Sequence, residues 1–393
     1  MKASLVLFGV FLAAGALSQA RTADSADVDA PDPQAQAPAT PAPAPAPPPP
    51  PPTAWTYKGF SASGYVDVYY NYNENRPSGS NGLQAFNTTA NELSLSSLTG
   101  SFALDPAPFG FRVDVGYGNT YDAFYASEPT HTDWSRYLLN AYVSYKIKQW
   151  KGVQIDFGKF VTSAGAEVTE THLNWNYSRS LLFALGPYYH TGLRVSVPIN
   201  PNWTVGTQVV TGWNLMRDNN SGKTVGLTSA NTLAGGKVVI ANNYYMGPEN
   251  NNTNVGWRNF YDLVVNYNPS AKVSTYFNMD IGSNKNIDKS LSKFYGFAGA
   301  AKIQLTNHFA LIPRLEYYND RDGYWTGLPQ QLNEFTITGE AKLNDSFFTR
   351  LEYRRDWSSQ PYFQVNGTPF ASKHQNMVVL GFVAWLKPGL FKF

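Results

Sequence analysis

Cysteine is absent from all 393 residues, which excludes a disulfide framework, thiolate chemistry and a lipid-modified N-terminal cysteine. Histidine is scarce: there are 5, with no pair at metal-ligand spacing. Beyond the N-terminus, no apolar run approaches the ~20 residues a membrane-spanning helix needs. Charge is thin and balanced, 30 basic against 28 acidic residues for a formal net charge of +2, so there is no electrostatic footprint for nucleic acid. Nucleotide and ester chemistry are also poorly supported. Ser221-Gly222-Lys223-Thr224 resembles the tail of a phosphate loop, but Arg217 stands where the leading glycine belongs. No G-x-S-x-G nucleophile elbow occurs. These absences predict a protein that is not an enzyme and carries no cofactor or metal.

What is present begins as an export signal over residues 1–20. Lys2 gives a positive start, Ala3–Leu17 is an apolar core too short to span a bilayer, and Ser18-Gln19-Ala20 supplies small residues for cleavage after Ala20. Residues 21–58 read as an Ala/Pro-rich linker, ending in the unbroken prolines Pro47–Pro52. Such a stretch favours extended polyproline II and cannot build a core. A spacer is the favoured reading, with a periplasmic tether that touches peptidoglycan through residues 24–52 as the sharper one. Residues 59–393 remain as one domain.

That domain alternates. Between Gly59 and Asn73 one face carries Phe60, Ala62, Gly64, Val66, Val68, Tyr70 and Tyr72. The other carries Ser61, Ser63, Tyr65, Asp67, Tyr69, Asn71 and Asn73. Successive strand side chains point to opposite faces, so this is one apolar wall and one polar wall. Phe109–Gly118 and Lys272–Gly282 repeat the pattern. Two strands carry aromatics at both ends of the apolar face: Trp203 through Trp213, and Trp257 through Tyr267. Ten residues at ~3.3 Å, tilted by ~40°, cover roughly 25 Å, the height of an outer-membrane apolar band.

Sixteen such strands are expected, near 59–73, 91–103, 109–118, 137–146, 152–161, 188–198, 202–214, 222–231, 236–245, 256–268, 271–282, 294–304, 308–319, 331–342, 347–356 and 374–386. The apolar phase slips near Ser96-Ser97. Short turns such as Asn200-Pro201-Asn202 and Pro269-Ser270 alternate with long polar connections such as 74–90, 119–136 and 357–373. The predicted fold is therefore all-β: a transmembrane up-and-down antiparallel β-barrel of about 16 strands. The even count puts both termini, and the linker, on the periplasmic side. The longest connection, Thr162–Pro187, is the third external loop, and a barrel this wide needs something to narrow it. We expect this loop to fold inward, with Arg179 prominent at the constriction and Leu181-Leu182-Phe183 packed on the inner wall or a subunit interface.

The polar phase also supplies candidate lumen charges: Arg112, Asp114, Asp156, Arg194, Arg314, Glu316, Arg350, Glu352 and Arg354. Glu167 and Glu170 on the loop would face the wall arginines and set a transverse field across the gap; mutual neutralisation of neighbouring charges is the competing reading. His172 and His190 complete the set as pore-lining or hydrogen-bonded groups. Lys159 falls on the apolar phase by counting.

Several stretches together resemble the OmpL-like β-barrel porin family of bacterial outer membranes. They are Gly158-Lys159-Phe160-Val161-Thr162, Asn174–Arg194, Asp218–Thr224, Tyr244–Glu249, Tyr317–Gly327 and Arg350–Ser358. Ser163 departs from the pattern, in which proline follows the threonine, and Pro388 interrupts the C-terminus ahead of the terminal Phe393. The resemblance implies a porin in the bacterial outer membrane, surrounded by lipid and lipopolysaccharide, with a homotrimer as the analogous assembly. Passive diffusion of small hydrophilic solutes or ions is the leading expectation. The rivals are a substrate-selective channel with Trp175, Tyr177, Tyr188 and Tyr189 as a solute slide, and a wall-tethered structural protein with a plugged bore.

Overall fold

Alternation becomes a closed wall. The computed structural model describes residues 55–128, 133–150 and 152–386; the export signal, most of the linker and the tail 387–393 lie outside them. In chain order the strands are β1 (Trp55–Tyr57), β2 (Phe60–Asn73), β3 (Glu92–Leu104), β4 (Phe109–Tyr117), β5 (Leu138–Ile147), β6 (Val153–Val161), β7 (Tyr189–Asn200), β8 (Trp203–Val210), β9 (Thr224–Leu233) and β10 (Val238–Gly247). They continue with β11 (Arg258–Ser270), β12 (Val273–Lys285), β13 (Leu291–Gln304), β14 (Phe309–Asp320), β15 (Gln330–Asn344), β16 (Phe347–Ser358), β17 (Phe363–Val365), β18 (Thr368–Ser372) and β19 (His374–Trp385). Helices α1 (Asn119–Ala126) and α2 (Leu181–Leu185) sit in the second and third long connections.

β2 to β16 pair antiparallel with their sequence neighbours, and β19 closes the ring by pairing with both β16 and β2. The wall is thus a 16-strand antiparallel barrel, each expected strand present within a few residues of its expected bounds. β17 and β18 form a separate hairpin in the last long connection. β1 corrects the linker boundary at residue 58: Trp55–Tyr57 pairs with Phe60–Ala62 across a turn at Lys58-Gly59. Both turn residues have positive φ, 48° and 84°, a conformation glycine adopts readily.

Outward rows are exposed, as with Tyr70, Tyr72, Leu351, Tyr353 and Trp357, while their neighbours Asn71, Asn73, Arg350, Glu352 and Asp356 are buried. The slip at Ser96-Ser97 is a β-bulge: Asp67 pairs with Ser97, Val68 with Leu95, and both serines are buried. One aromatic end is not where counting puts it. Trp203 is exposed, but β8 ends at Val210, Gly212 takes φ 133°, and Trp213 is buried against Phe260. Trp257 and Tyr267, by contrast, are exposed.

Candidate functional site: the lumen and the third external loop

The third long connection, expected as the third external loop, is hydrogen-bonded along its length to buried polar side chains of the wall strands. Ser163 Oγ donates to Asn243 Oδ1 at 2.7 Å, the Gly165 amide to Asp262 at 3.0 Å, and the Ala166 amide to Asn278 at 3.0 Å. Arg314 on β14 then donates to Glu167 at 2.8 Å. At the far end of this path Thr171 Oγ1 donates to Asp67 on β2 at 2.6 Å, Arg112 on β4 reaches Glu170 at 3.3 Å, and His172 stacks on Trp385.

The return path is held mostly by its backbone. Arg350 donates to the carbonyls of Thr171 (3.0 Å), Asn176 (3.1 Å) and Asn174. Arg314 donates to the Ser178 carbonyl at 2.7 Å and Arg354 to the Arg179 carbonyl at 2.5 Å. Glu352 accepts from the amides of Tyr177 and Ser178 at 2.7 and 3.0 Å, and Glu316 from the Leu181 amide at 2.8 Å. Wall cations thus take loop carbonyls while wall carboxylates take loop amides, satisfying backbone that has no strand partner. Ser180 caps α2 through the Phe183 amide at 3.0 Å. Leu181 and Leu182 pack with Phe294, Ala298 and Tyr318 of the wall, and Phe183 with Phe86 and Tyr189.

A family model described as "Putative beta-barrel porin-2, OmpL-like" matches residues 59–385. The chain belongs to this family. Among solved structures it is similar to an anion-selective porin from Comamonas acidovorans, at 11% identity over 83% of this chain and 99% of that one, TM-score 0.58. It is also similar to OmpT of Vibrio cholerae, at 10% identity over 84% and 99%, TM-score 0.56. The outer-membrane channel DcaP of Acinetobacter baumannii gives 12% identity over 84% and 98%, TM-score 0.55. No curated protein matches. Family and architecture together make this a bacterial outer-membrane porin, a passive channel.

Within the porin, the candidate residues fall into separate groups. Glu167 and Arg179 on the loop and Arg314, Glu316, Arg350, Glu352 and Arg354 on the wall beneath it lie together, all buried. Arg314 Nε donates to Glu334 at 3.1 Å with Glu316 at 3.2 Å, and Arg350 pairs with Glu340 at 2.7 Å. Two other pairs sit on the β4–β7 side: Arg112 with Asp114 at 2.9 Å, and Arg194 with Asp156 at 2.7 Å. The arginines of these pairs stay open to water, their side chains 38% and 23% exposed, while both aspartates are almost fully covered. Tyr142 lies between them, opposite Arg112 in register and 5.6 Å from the Arg194 guanidinium.

Three expectations need correction. Arg179 is 2% exposed, and its guanidinium donates to the carbonyls of Val168, Tyr177 and Thr169 and to Thr171 Oγ1. It ties the loop to itself instead of facing the bore. Glu167 and Glu170 do not oppose arginines across a gap; they touch Arg314 and Arg112 directly. Nor do the loop aromatics make a slide: Tyr177 is 3% and Tyr189 0% exposed, and Trp175 and Tyr188 pack against buried clusters.

His190 is also enclosed, stacked on Tyr245 at 4.8 Å with Nδ1 3.1 Å from the Gly212 carbonyl. His172 is half-buried, and desolvation with Arg350 and Arg179 nearby pushes its pKa down to about 4. Lys159, on the outward count, is buried with Nζ donating to the Leu138 carbonyl at 2.7 Å, 4.0 Å from the Tyr189 ring centre. The neighbouring pairing shifts register at Leu139, between Asp114↔Asn140 and Val115↔Leu138. Ser163, in the proline position, uses its hydroxyl to anchor the loop's first turn.

Sequence reasoning missed Asp67, Asp262, Glu334, Glu340 and Asp356 as lumen groups. All but Asp67, which was already counted on a polar face, needed only the same two-residue count extended to their strands. It also missed α1, whose Tyr121 hydroxyl lies 2.9 Å from Thr99 Oγ1 over Gly116. A side chain at Gly116 would meet that hydroxyl, so the glycine makes room for the loop. No periodic signal announces such a contact.

Proposed function

We propose that small hydrophilic solutes pass the porin through a constriction set by the third external loop on one side and the β4–β7 wall on the other. The observation that carries this is the split in charge exposure. Arginines beneath the loop are sealed and spent on its carbonyls, while Arg112 and Arg194 present guanidinium groups to water beside Tyr142. Each is backed by a covered aspartate, and Arg112 also touches the less exposed Glu170, so the open face is basic only because the arginines are the most exposed members of these groups. Charges lining a narrow bore set ion preference, and this arrangement supports a mild preference for anions. The loop belongs inside the barrel because its partners are inward-facing residues, and irregular backbone at membrane depth persists only where protein or water satisfies it.

The short turns and both barrel termini face the periplasm in this reading, which places the linker there, and three barrels associate as porins of similar architecture do. Planar-bilayer recording tests the function: stepwise, ohmic conductance with a reversal potential on the anion side in a salt gradient is expected. A barrel that inserts but stays silent would favour the plugged, structural reading.

A further inference from the structure

The apolar outward rows of the barrel are broken at mid-height on β9 and β10. The outward side chains Val205, Ser229 and Asn242 lie side by side in register, and Asn242 pairs on its other flank with Leu263. Parity is fixed from inside: the next residue, Asn243, is buried and donates to Asp262 at 2.8 Å. Leu263 lies near the midpoint between Trp257 and Tyr267, the exposed aromatics at the two ends of the outward face of β11. Asn242 therefore places an amide at the centre of the band that hydrocarbon would cover. Three other outward amides, Asn319, Asn333 and Asn376, lie close to the long-connection ends of β14, β15 and β19, where water and headgroups reach.

The amide is only half satisfied. Its Oδ1 accepts from the Tyr261 hydroxyl at 2.7 Å, but among the described residues its Nδ2 has no acceptor. Asn259 repeats this, with Oδ1 accepting from the Tyr244 hydroxyl at 2.8 Å and Nδ2 donating to nothing among the described residues. Hydrocarbon offers no partner for such groups. Between membrane-embedded proteins, by contrast, polar side chains hydrogen-bond across the contact and short ones let backbones approach. Val205, Thr207 and Ser229 supply short neighbours. No lysine, arginine, aspartate or glutamate stands on the outward phase of β8–β11, so two copies of this face bring no like charges together. Lys285 and Lys293, on the outward phase of β12 and β13, would do so.

We propose that the outward face of β8–β11, centred on Ser229 and Asn242, is where one copy of this chain docks on the next. This rests on the reading above that the barrels associate, and it names the face. The occupant is a second copy because an amide carries both donor and acceptor. Close to a rotation axis Asn242 meets its own image, and Nδ2 donates to an amide oxygen whose second lone pair Tyr261 leaves free.

The chain has no cysteine, so single introduced thiols report the contact. In outer-membrane vesicles treated with copper phenanthroline, Ser229→Cys and Asn242→Cys, each alone, should give disulfide-linked dimers of this chain. Val66→Cys on β2 and Val113→Cys on β4 should not. Asn242→Leu, which keeps the bulk and removes the amide, should weaken association in detergent by about three- to fifteen-fold, the range of one hydrogen bond between membrane segments. Sedimentation reads that loss, heat-modifiable gel mobility shows the barrel intact, and Asn242→Gln should restore much of the association. Oligomers that cross-link through β2 or β4 instead, or an Asn242→Leu protein that associates as wild type does, would overturn this face. Cross-links from Ser229→Cys and Asn242→Cys to a different protein would overturn the second copy as occupant. A wild-type chain that is monomeric in the membrane would sink the association reading and this face with it, while the conductance test still judges the channel.

Discussion

Glu352→Ala should loosen the centre of the third loop without unfolding the barrel. In the native porin this carboxylate accepts from two loop amides, Tyr177 and Ser178, and from the Thr338 hydroxyl at 2.7 Å. A hydrogen bond to a charged group contributes ~1.5–3 kcal/mol, and a buried donor left without its acceptor costs a comparable amount. Losing both amide contacts should therefore lower the free energy of local opening by about 3–5 kcal/mol. At ~1.4 kcal/mol per tenfold, that is a loss of roughly two to three orders of magnitude in amide-exchange protection at Tyr177 and Ser178. Glu352→Gln keeps one acceptor but turns its amide group on the other donor, so its loss should be about half as large on a logarithmic scale. Hydrogen exchange with peptide-level mass spectrometry reads both, and heat-modifiable gel mobility checks that the barrel is intact. If protection at these two amides stays within a factor of ~3 of wild type in a folded Glu352→Ala barrel, the carboxylate is not what holds the loop.

Other perturbations separate mooring from lining. A Cβ at Gly381 would lie 2.2 Å from the Tyr177 ring, so Gly381→Val should displace the loop at a cost of ~1–3 kcal/mol, seen as noisier conductance and a lower melting temperature. Arg112→Gln with Arg194→Gln should move the reversal potential toward cations, whereas Arg179→Ala should raise current noise and leave that potential in place; the opposite assignment would restore Arg179 to the bore. His172 has its folded pKa depressed to about 4. Loop docking should thus be fully stable above the unfolded value near 6.5 and weaken as pH falls from there toward 4, since the unfolded form takes the proton first. A melting curve independent of pH over that window, or one abolished by His172→Gln only above pH 7, would contradict this.

Most of the fold was legible in the residues because a membrane barrel repeats one rule along every strand. Tyr70 and Asn71, or Leu351 and Glu352, can be assigned to opposite faces by parity alone. Parity fails where backbone leaves the ladder: it carried Trp213 outward, but Gly212 turns the chain in; at Ser96-Ser97 it registered a slip of phase, which the strand register resolves as a bulge. The lumen charges were legible as a set and only partly as pairs. Arg194 and Asp156 are cross-strand partners, fixed by register, but that Arg314 meets Glu167 depends on where a loop lies, and loop paths follow from long-range contacts that no local pattern encodes. Arg179 looked like a pore residue because it is a lone cation among polar and aromatic neighbours. Three neighbouring carbonyls explain it instead.

The wall grips the loop by its peptide groups. Arg350, Arg314, Arg354, Glu352 and Glu316 recognise carbonyls and amides that every residue type carries. The course of the loop is thereby written largely in the barrel, and its unanchored side chains are free to be rewritten. Positions such as Val168 and Leu173, which are exposed and supply no side-chain anchor, are places where the channel's chemistry could be changed while the shape of its passage stays the same.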